Sequence, residues 1–200
     1  MTPQGPGVAA SATGYLAGLA QMFERVEVTA GNAEPLTLDD GISRAVDLVV
    51  SLAAGGKALL IGNGGSAAIV SHMHNDLCKA VGVRAIVFNE APFLTALAND
   101  DGYHAVFHKP VDLWADPGDL LIAVSSSGES ENIVKAATIA LEKGCRLLTL
   151  TGFTPTNRLR RLGHLNIYVP HSTYGYVEMA HSAVGHCITD LARVKAAGRR

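Results

Sequence analysis

The chain is poor in cysteine, with three in 200 residues (Cys78, Cys145 and Cys187) and no CxxC pair. That excludes a disulfide framework, and the three read as buried free thiols of a reducing compartment. It has little excess charge. Sixteen Lys and Arg against 18 Asp and Glu leave a formal net charge of -2, so no basic surface for nucleic acid is expected. No apolar run approaches the roughly 20 residues that cross a bilayer. The first residues, Met1-Thr2-Pro3-Gln4-Gly5-Pro6-Gly7, have neither the basic start nor the apolar stretch of a secretory signal. Neither a Walker A loop nor a G-x-G-x-x-G fingerprint occurs. The expectation is a cytoplasmic globular protein without nucleic-acid or membrane partners. Its 48% hydrophobic residues are ample for the core of one domain.

What is present is alternation. Residues 1–12, rich in Gly, Pro, Ala and Ser, read as a disordered tail, with a single domain over 13–196. Two amphipathic helices are predicted first, over 14–30 and 38–54. Thr37 or Asp39 caps the second and Gly55-Gly56 stops it. Short apolar runs at 57–61, 84–88, 120–124, 146–150 and 165–169 then alternate with helical stretches at 66–80, 92–98, 103–114, 130–143, 156–162 and 175–195. This pattern predicts an α/β fold, a parallel sheet covered by helices on both faces. Ligands of such sheets bind at the carboxyl ends of the strands. The first helix carries an apolar stripe at Tyr15, Leu16, Leu19, Met22 and Phe23, which needs a partner and points to another subunit.

Two polar loops lie at those carboxyl ends. Ile61-Gly62-Asn63-Gly64-Gly65-Ser66 and Ser125-Ser126-Ser127-Gly128-Glu129-Ser130 each follow an apolar run and lead into a helix. Such turns aim backbone N–H groups and a positive helix end at one spot, and the serine hydroxyls add donors. Together they suggest a pocket for a phosphorylated small molecule. Each loop also has a plainer reading, a Ser126/Glu129 capping box and a Gly-Gly turn.

Candidate chemistry sits on the helices. His72 and Asp76 are four residues apart and share a helix face. Glu178 and His186 are eight apart on the last helix, offset by roughly 80°. Two imidazoles and two carboxylates can surround a borderline cation such as zinc, although any one of them alone also reads as a polar residue on an amphipathic helix. His74, about 200° around from His72, does not pair with it.

Four motifs carry a resemblance: Ile-Gly-Asn-Gly-Gly-Ser-Ala-Ala at 61–68, Ala-Asn-Asp at 98–100, Pro-Gly-Asp-Leu-Leu-Ile-Ala-Val-Ser-Ser-Ser-Gly-Glu-Ser at 117–130, and Leu-Thr-Leu-Thr-Gly at 148–152. They resemble the sugar-isomerase (SIS) domain family, and within it the phosphoheptose (sedoheptulose 7-phosphate) isomerase branch, over about 40–195. The resemblance implies a three-layer flavodoxin-like sheet, a homotetramer with shared active sites and a phosphosugar substrate. It implies phosphate held by Ser66, Ser125, Ser126, Ser127 and Ser130, with Asn63, Gly64, Gly65, Asn99, Asp100 and Glu178 as further substrate contacts. It also implies zinc held by His72, Asp76, Glu178 and His186, with Asp76 and His186 as the proton-transfer pair. Two positions depart from the family, which usually has Glu at Asp76 and Gln at Glu178. The shorter Asp retracts a base by roughly one C–C bond. Rival readings are an isomerase of another phosphosugar, and a non-catalytic scaffold like the initiator-associating relative of these isomerases. That relative lacks the acid and histidine retained here.

Overall fold

A computed structural model describes residues 10–198. The tail expected over 1–12 lies outside the described residues except at 10–12. Helix α1 (Ala12–Phe23) starts where the Ser11 hydroxyl accepts from the Gly14 N–H. The helix expected over 14–30 ends at Phe23, and Glu27–Ala30 form strand β1 instead. β-Branched Val28 and Thr29 favour the extended backbone, and Val28 is buried in the core. One 3-10 turn leads to β2 (Glu34–Leu36), antiparallel to β1. Helix α2 (Leu38–Ser51) is capped by Thr37, whose Oγ1 accepts from the Asp40 N–H.

The alternating part follows: β3 (Ala58–Gly62), α3 (Gly65–Asp76), a π-helical turn (Leu77–Val81), β4 (Ala85–Val87), α4 (Ala91–Asp100), a 3-10 turn (Tyr103–Ala105), α5 (His108–Trp114) and β5 (Leu120–Ser125). Then come α6 (Glu131–Glu142), β6 (Arg146–Gly152), α7 (Arg158–Leu162), β7 (Leu165–Val169) and α8 (Tyr174–Ala197). The seven-stranded sheet has the order β2-β1-β7-β6-β5-β3-β4. Strands β3 to β7 are parallel, in the flavodoxin-like order. The sheet is not wholly parallel as expected, because β1 runs antiparallel to β7 and extends that edge.

Alternate side chains of the buried strands face opposite layers. Leu60, Ile122, Leu148 and Ile167 share a core with residues of α2, α3 and α8, while Leu59, Ile61, Leu121 and Leu147 pack with α5 and α6. The α1 stripe finds its partner within the chain: Tyr15, Leu19, Met22 and Phe23 pack with Val169, Tyr176, Val177 and Ala180. Only Leu16 of the stripe stays well exposed, at 65%. The thiols also differ from expectation. All three are free, but only Cys145 is buried, and burial pushes its thiol up to about 11; Cys78 and Cys187 are exposed. Among the described residues, no helix is long and apolar enough to cross a membrane.

Candidate active site

Strand β3 lies between β4 and β5, so the chain leaves it first to one side and later to the other. Crevices form at such a switch point, outside the carboxyl ends of the strands. The loops after β3 and β5 enclose one here, a cavity of about 230 Å³. Asn63, Gly64, Gly65 and Ser66 line it from one loop, and Ser125, Ser126, Ser127 and Ser130 from the other. Glu178 and Tyr174 of α8 close it. Three larger hollows, of about 470, 430 and 490 Å³, lie elsewhere and bring no comparable set of donors together.

Both helices that begin at the cavity lack a side-chain cap. Gly64 precedes α3 with φ +54, a conformation that favours glycine, and Ser130 precedes α6 without a capping hydrogen bond. Their first N–H groups and positive dipole ends are therefore available to an anion. The Ser126/Glu129 capping box does not form: Glu129 instead pairs with Arg158, and the buried Ser126 hydroxyl has no partner. An orphaned buried hydroxyl lining a cavity is itself a ligand signal. Gly65 leaves room for Glu178, since a Cβ there would lie 2.4 Å from the Glu178 carboxylate and displace it.

One part of this loop pair was not visible in the sequence. The side-chain amides of Asn63 and Asn132 bond reciprocally, at 3.0 and 2.9 Å, and the Tyr103 hydroxyl donates to Asn63 Oδ1 at 2.9 Å. Asn132 follows the serine loop by two residues, but nothing in local spacing links it to Asn63. By contrast, Asn99 and Asp100 end α4, exposed, and bond to each other rather than lining the cavity.

Helices α3 and α8 pack together beside the cavity. Asp76 Oδ2 lies 3.5 Å from His72 Nε2 and 3.5 Å from His186 Nδ1. Asp76 is the last residue of α3, just before the π-helical turn, which is a frequent placement for functional side chains. Glu178 does not join this group. Eight residues along α8 carry it roughly 12 Å from His186, and its carboxylate instead sits against Gly65 in the cavity. Below the site His181 is fully buried, with Nε2 3.0 Å from the Thr151 carbonyl; burial pushes its imidazole down to about 4.

Residues 15–152 match the SIS domain family. The chain belongs to that family. Among curated SIS relatives, the phosphoheptose isomerase of Geobacter sulfurreducens is 34% identical over 150 residues, which cover 72% of this chain and 79% of that one. The phosphoheptose isomerase of Rhodospirillum rubrum is 36% identical over 157 residues, 75% of this chain and 83% of that one. Solved structures agree. Phosphoheptose isomerase from Francisella tularensis superposes with a TM-score of 0.78 and that from Neisseria gonorrhoeae with 0.76, each at 26% identity and covering 90% of this chain and 95% of the other.

The donor set of this SIS chain fits zinc. Tetrahedral ligands with bonds of 2.0–2.1 Å stand about 3.4 Å apart, close to the two 3.5 Å separations, and all three donor atoms fall within 4.8 Å of one another. Two imidazoles and one carboxylate also leave a fourth position for water or substrate. The remaining candidates are structural. His164 and His171, held below the ordinary imidazole value by burial, accept from the N–H groups of Leu147 and Thr173. Arg158 pairs with Glu129 and Glu131. Arg160 binds Glu27 and covers the Tyr168 ring at 4.3 Å. Met73 and Phe107 are buried in the core, whereas Met179 is 54% exposed.

Proposed function

We propose that this chain is a phosphoheptose isomerase, interconverting sedoheptulose 7-phosphate and a D-glycero-D-manno-heptose 7-phosphate. The observation that carries this reading is an acid/base cluster of His72, Asp76 and His186 set about two helical turns along α3 and α8 from a two-loop cavity whose helix N-termini are uncapped. The cavity takes the phosphate, through the serine hydroxyls and the N–H groups that begin α3 and α6. Glu178 accepts from sugar hydroxyls in the same cavity. Asn99 and Asp100 reach the substrate only if it extends past Tyr103, or from a neighbouring subunit.

The chemistry is proton transfer between adjacent carbons. A base removes a proton from C1 of the open-chain ketose while the C2 carbonyl oxygen gains one, giving an enediol. Return of a proton to C2 and loss of the C1 hydroxyl proton leave the aldose. Asp76 and His186 are the pair that exchanges these protons, with Asp76 Oδ2 and His186 Nδ1 3.5 Å apart. His72 Nε2 stands 3.5 Å from the same Asp76 oxygen. His72, Asp76 and His186 would hold zinc, which when bound supplies Lewis-acid stabilisation to charge developing on the sugar oxygens. Asp76 and His186 would then serve both as ligands and in proton transfer.

The protein is proposed to work in the cytoplasm, as one SIS domain over 13–196, assembled as a homotetramer with shared active sites. Exposed apolar side chains support assembly. Leu113, Trp114 and Phe93 stand on α4 and α5, and Tyr174 and Met179 flank the cavity on α8. Incubating the protein with a panel of ketose phosphates and following aldose formation tests the activity. Turnover of sedoheptulose 7-phosphate, lowered at least about a hundredfold by Asp76→Asn or His186→Ala, is the expected result. Preference for a different ketose phosphate would make Asp76 and Glu178 marks of another substrate, and no turnover of any would leave a scaffold.

A further inference from the structure

The Ile133 N–H and the Asn132 amide dictate which way the Asn63 amide points. The Ile133 backbone N–H can only donate and lies 3.0 Å from one atom of the Asn132 amide. That atom is therefore Oδ1. Its partner Nδ2 donates to Asn63 at 2.9 Å, so the Asn63 atom there is also oxygen. Asn63 Nδ2 donates back to Asn132 Oδ1 at 3.0 Å, and the exposed Tyr103 hydroxyl donates to Asn63 Oδ1 at 2.9 Å. An amide has two acceptor lone pairs and two N–H donors. Both lone pairs of Asn63 and one N–H are thus occupied. What this side chain has left for the cavity it lines is a single N–H.

We propose that Asn132 is a positioning residue for the phosphoryl group of the substrate. It is 3% exposed, in the first turn of α6, and its amide ties the loop after β3 to the helix after β5. That link holds the two uncapped helix ends at one separation. It also makes Asn63 a donor toward the cavity, suited to a phosphate oxygen and not to a hydroxyl that needs an acceptor. The Asn132 side chain itself touches no ligand. This inference rests on the phosphate cavity proposed above.

The test is a double-variant cycle, read by calorimetric binding of inorganic phosphate and by kinetics on sedoheptulose 7-phosphate. Asn132→Ala is expected to weaken phosphate binding and raise KM about tenfold, the effect of losing one charge-assisted hydrogen bond, with kcat within about twofold. In an Asn63→Ala background the same change is expected to cost less than about twofold, because Asn132 acts through Asn63. Should Asn132→Ala not fold, Asn132→Asp keeps the acceptor for the Ile133 and Asn63 N–H groups and carries the same cycle. Unchanged KM in a folded variant, or equal losses in both backgrounds, overturns the positioning role while leaving the cavity intact. A wild-type protein that binds no phosphate overturns the cavity reading, and this inference with it.

Discussion

The imidazoles of His72 and His186 meet edge to face with ring centres 4.6 Å apart, and the Asp76 carboxylate touches a nitrogen of each at 3.5 Å. His72 and Asp76 come together through one turn of α3, and His186 joins them only because α8 packs across that helix. Two half-exposed histidines and a carboxylate are thereby brought within reach of one divalent cation.

Protein purified without chelator is therefore expected to carry close to one divalent metal ion per chain. The double variant His72→Ala, His186→Ala should lose it, and each single variant should bind at least about tenfold more weakly. Metal analysis of the folded variants is the measurement. Full activity in metal-free protein would leave the three side chains as an acid/base cluster alone.

Gly65→Ala should cripple the site without unfolding the chain. The new Cβ would lie 2.4 Å from the Glu178 carboxylate, so that side chain must move out of the cavity. Gly65 is exposed at the first turn of α3, where alanine is otherwise well tolerated. We expect a fall in kcat/KM of at least about tenfold with a melting temperature shifted by only a few degrees, ~1 kcal/mol at most. Adding Glu178→Ala should then cause little further loss. Independent, multiplying losses would show that Gly65 serves something other than Glu178.

His181 predicts an acid-labile fold. Its imidazole is held at about 4 in the folded chain, against about 6.5 when exposed, because burial disfavours the charged form. Between those values the unfolded chain binds the extra proton. Stability from this residue is complete above about pH 6.5 and is lost as pH falls toward 4, on the order of 3 kcal/mol in all. Urea unfolding at pH 7.5 and pH 5 should show a smaller drop for His181→Gln than for the parent. Parallel pH profiles for the two proteins would contradict this account.

Light scattering at micromolar concentration should find an oligomer, with a tetramer expected. Leu113 at 75%, Leu16 at 65% and Trp114 at 49% exposure are side chains that assembly would cover. Leu113→Glu should shift the distribution toward smaller species. A monomer of 20.9 kDa in the parent would remove any shared active site and leave Asn99 and Asp100 to reach the substrate only past Tyr103.

Local order was legible in the residues themselves. Apolar runs marked β3 to β7 to within about two residues, Thr37 announced the start of α2, and the four-residue spacing of His72 and Asp76 put them on one face. Each of these depends on bonds and contacts made within a few residues of chain. Both loops were legible for the same reason, since a polar turn between a strand and a helix is a local pattern. Other features needed the packed chain. Val28 and Thr29 lie in β1 because β7 offers an unpaired edge, and the α1 stripe is covered by α8 of the same chain. Cys78 and Cys187 proved exposed because of where their helices sit. Glu178 belongs with the serine loops rather than with His186, since the rise of α8 separates them and the close approach of Gly65 receives its carboxylate. Asn132 meets Asn63 across two parallel strands. Spacing along a chain determines which residues share a turn or a face, but which distant side chains share a cavity is decided by the order of strands in the sheet and by the helices that close over it.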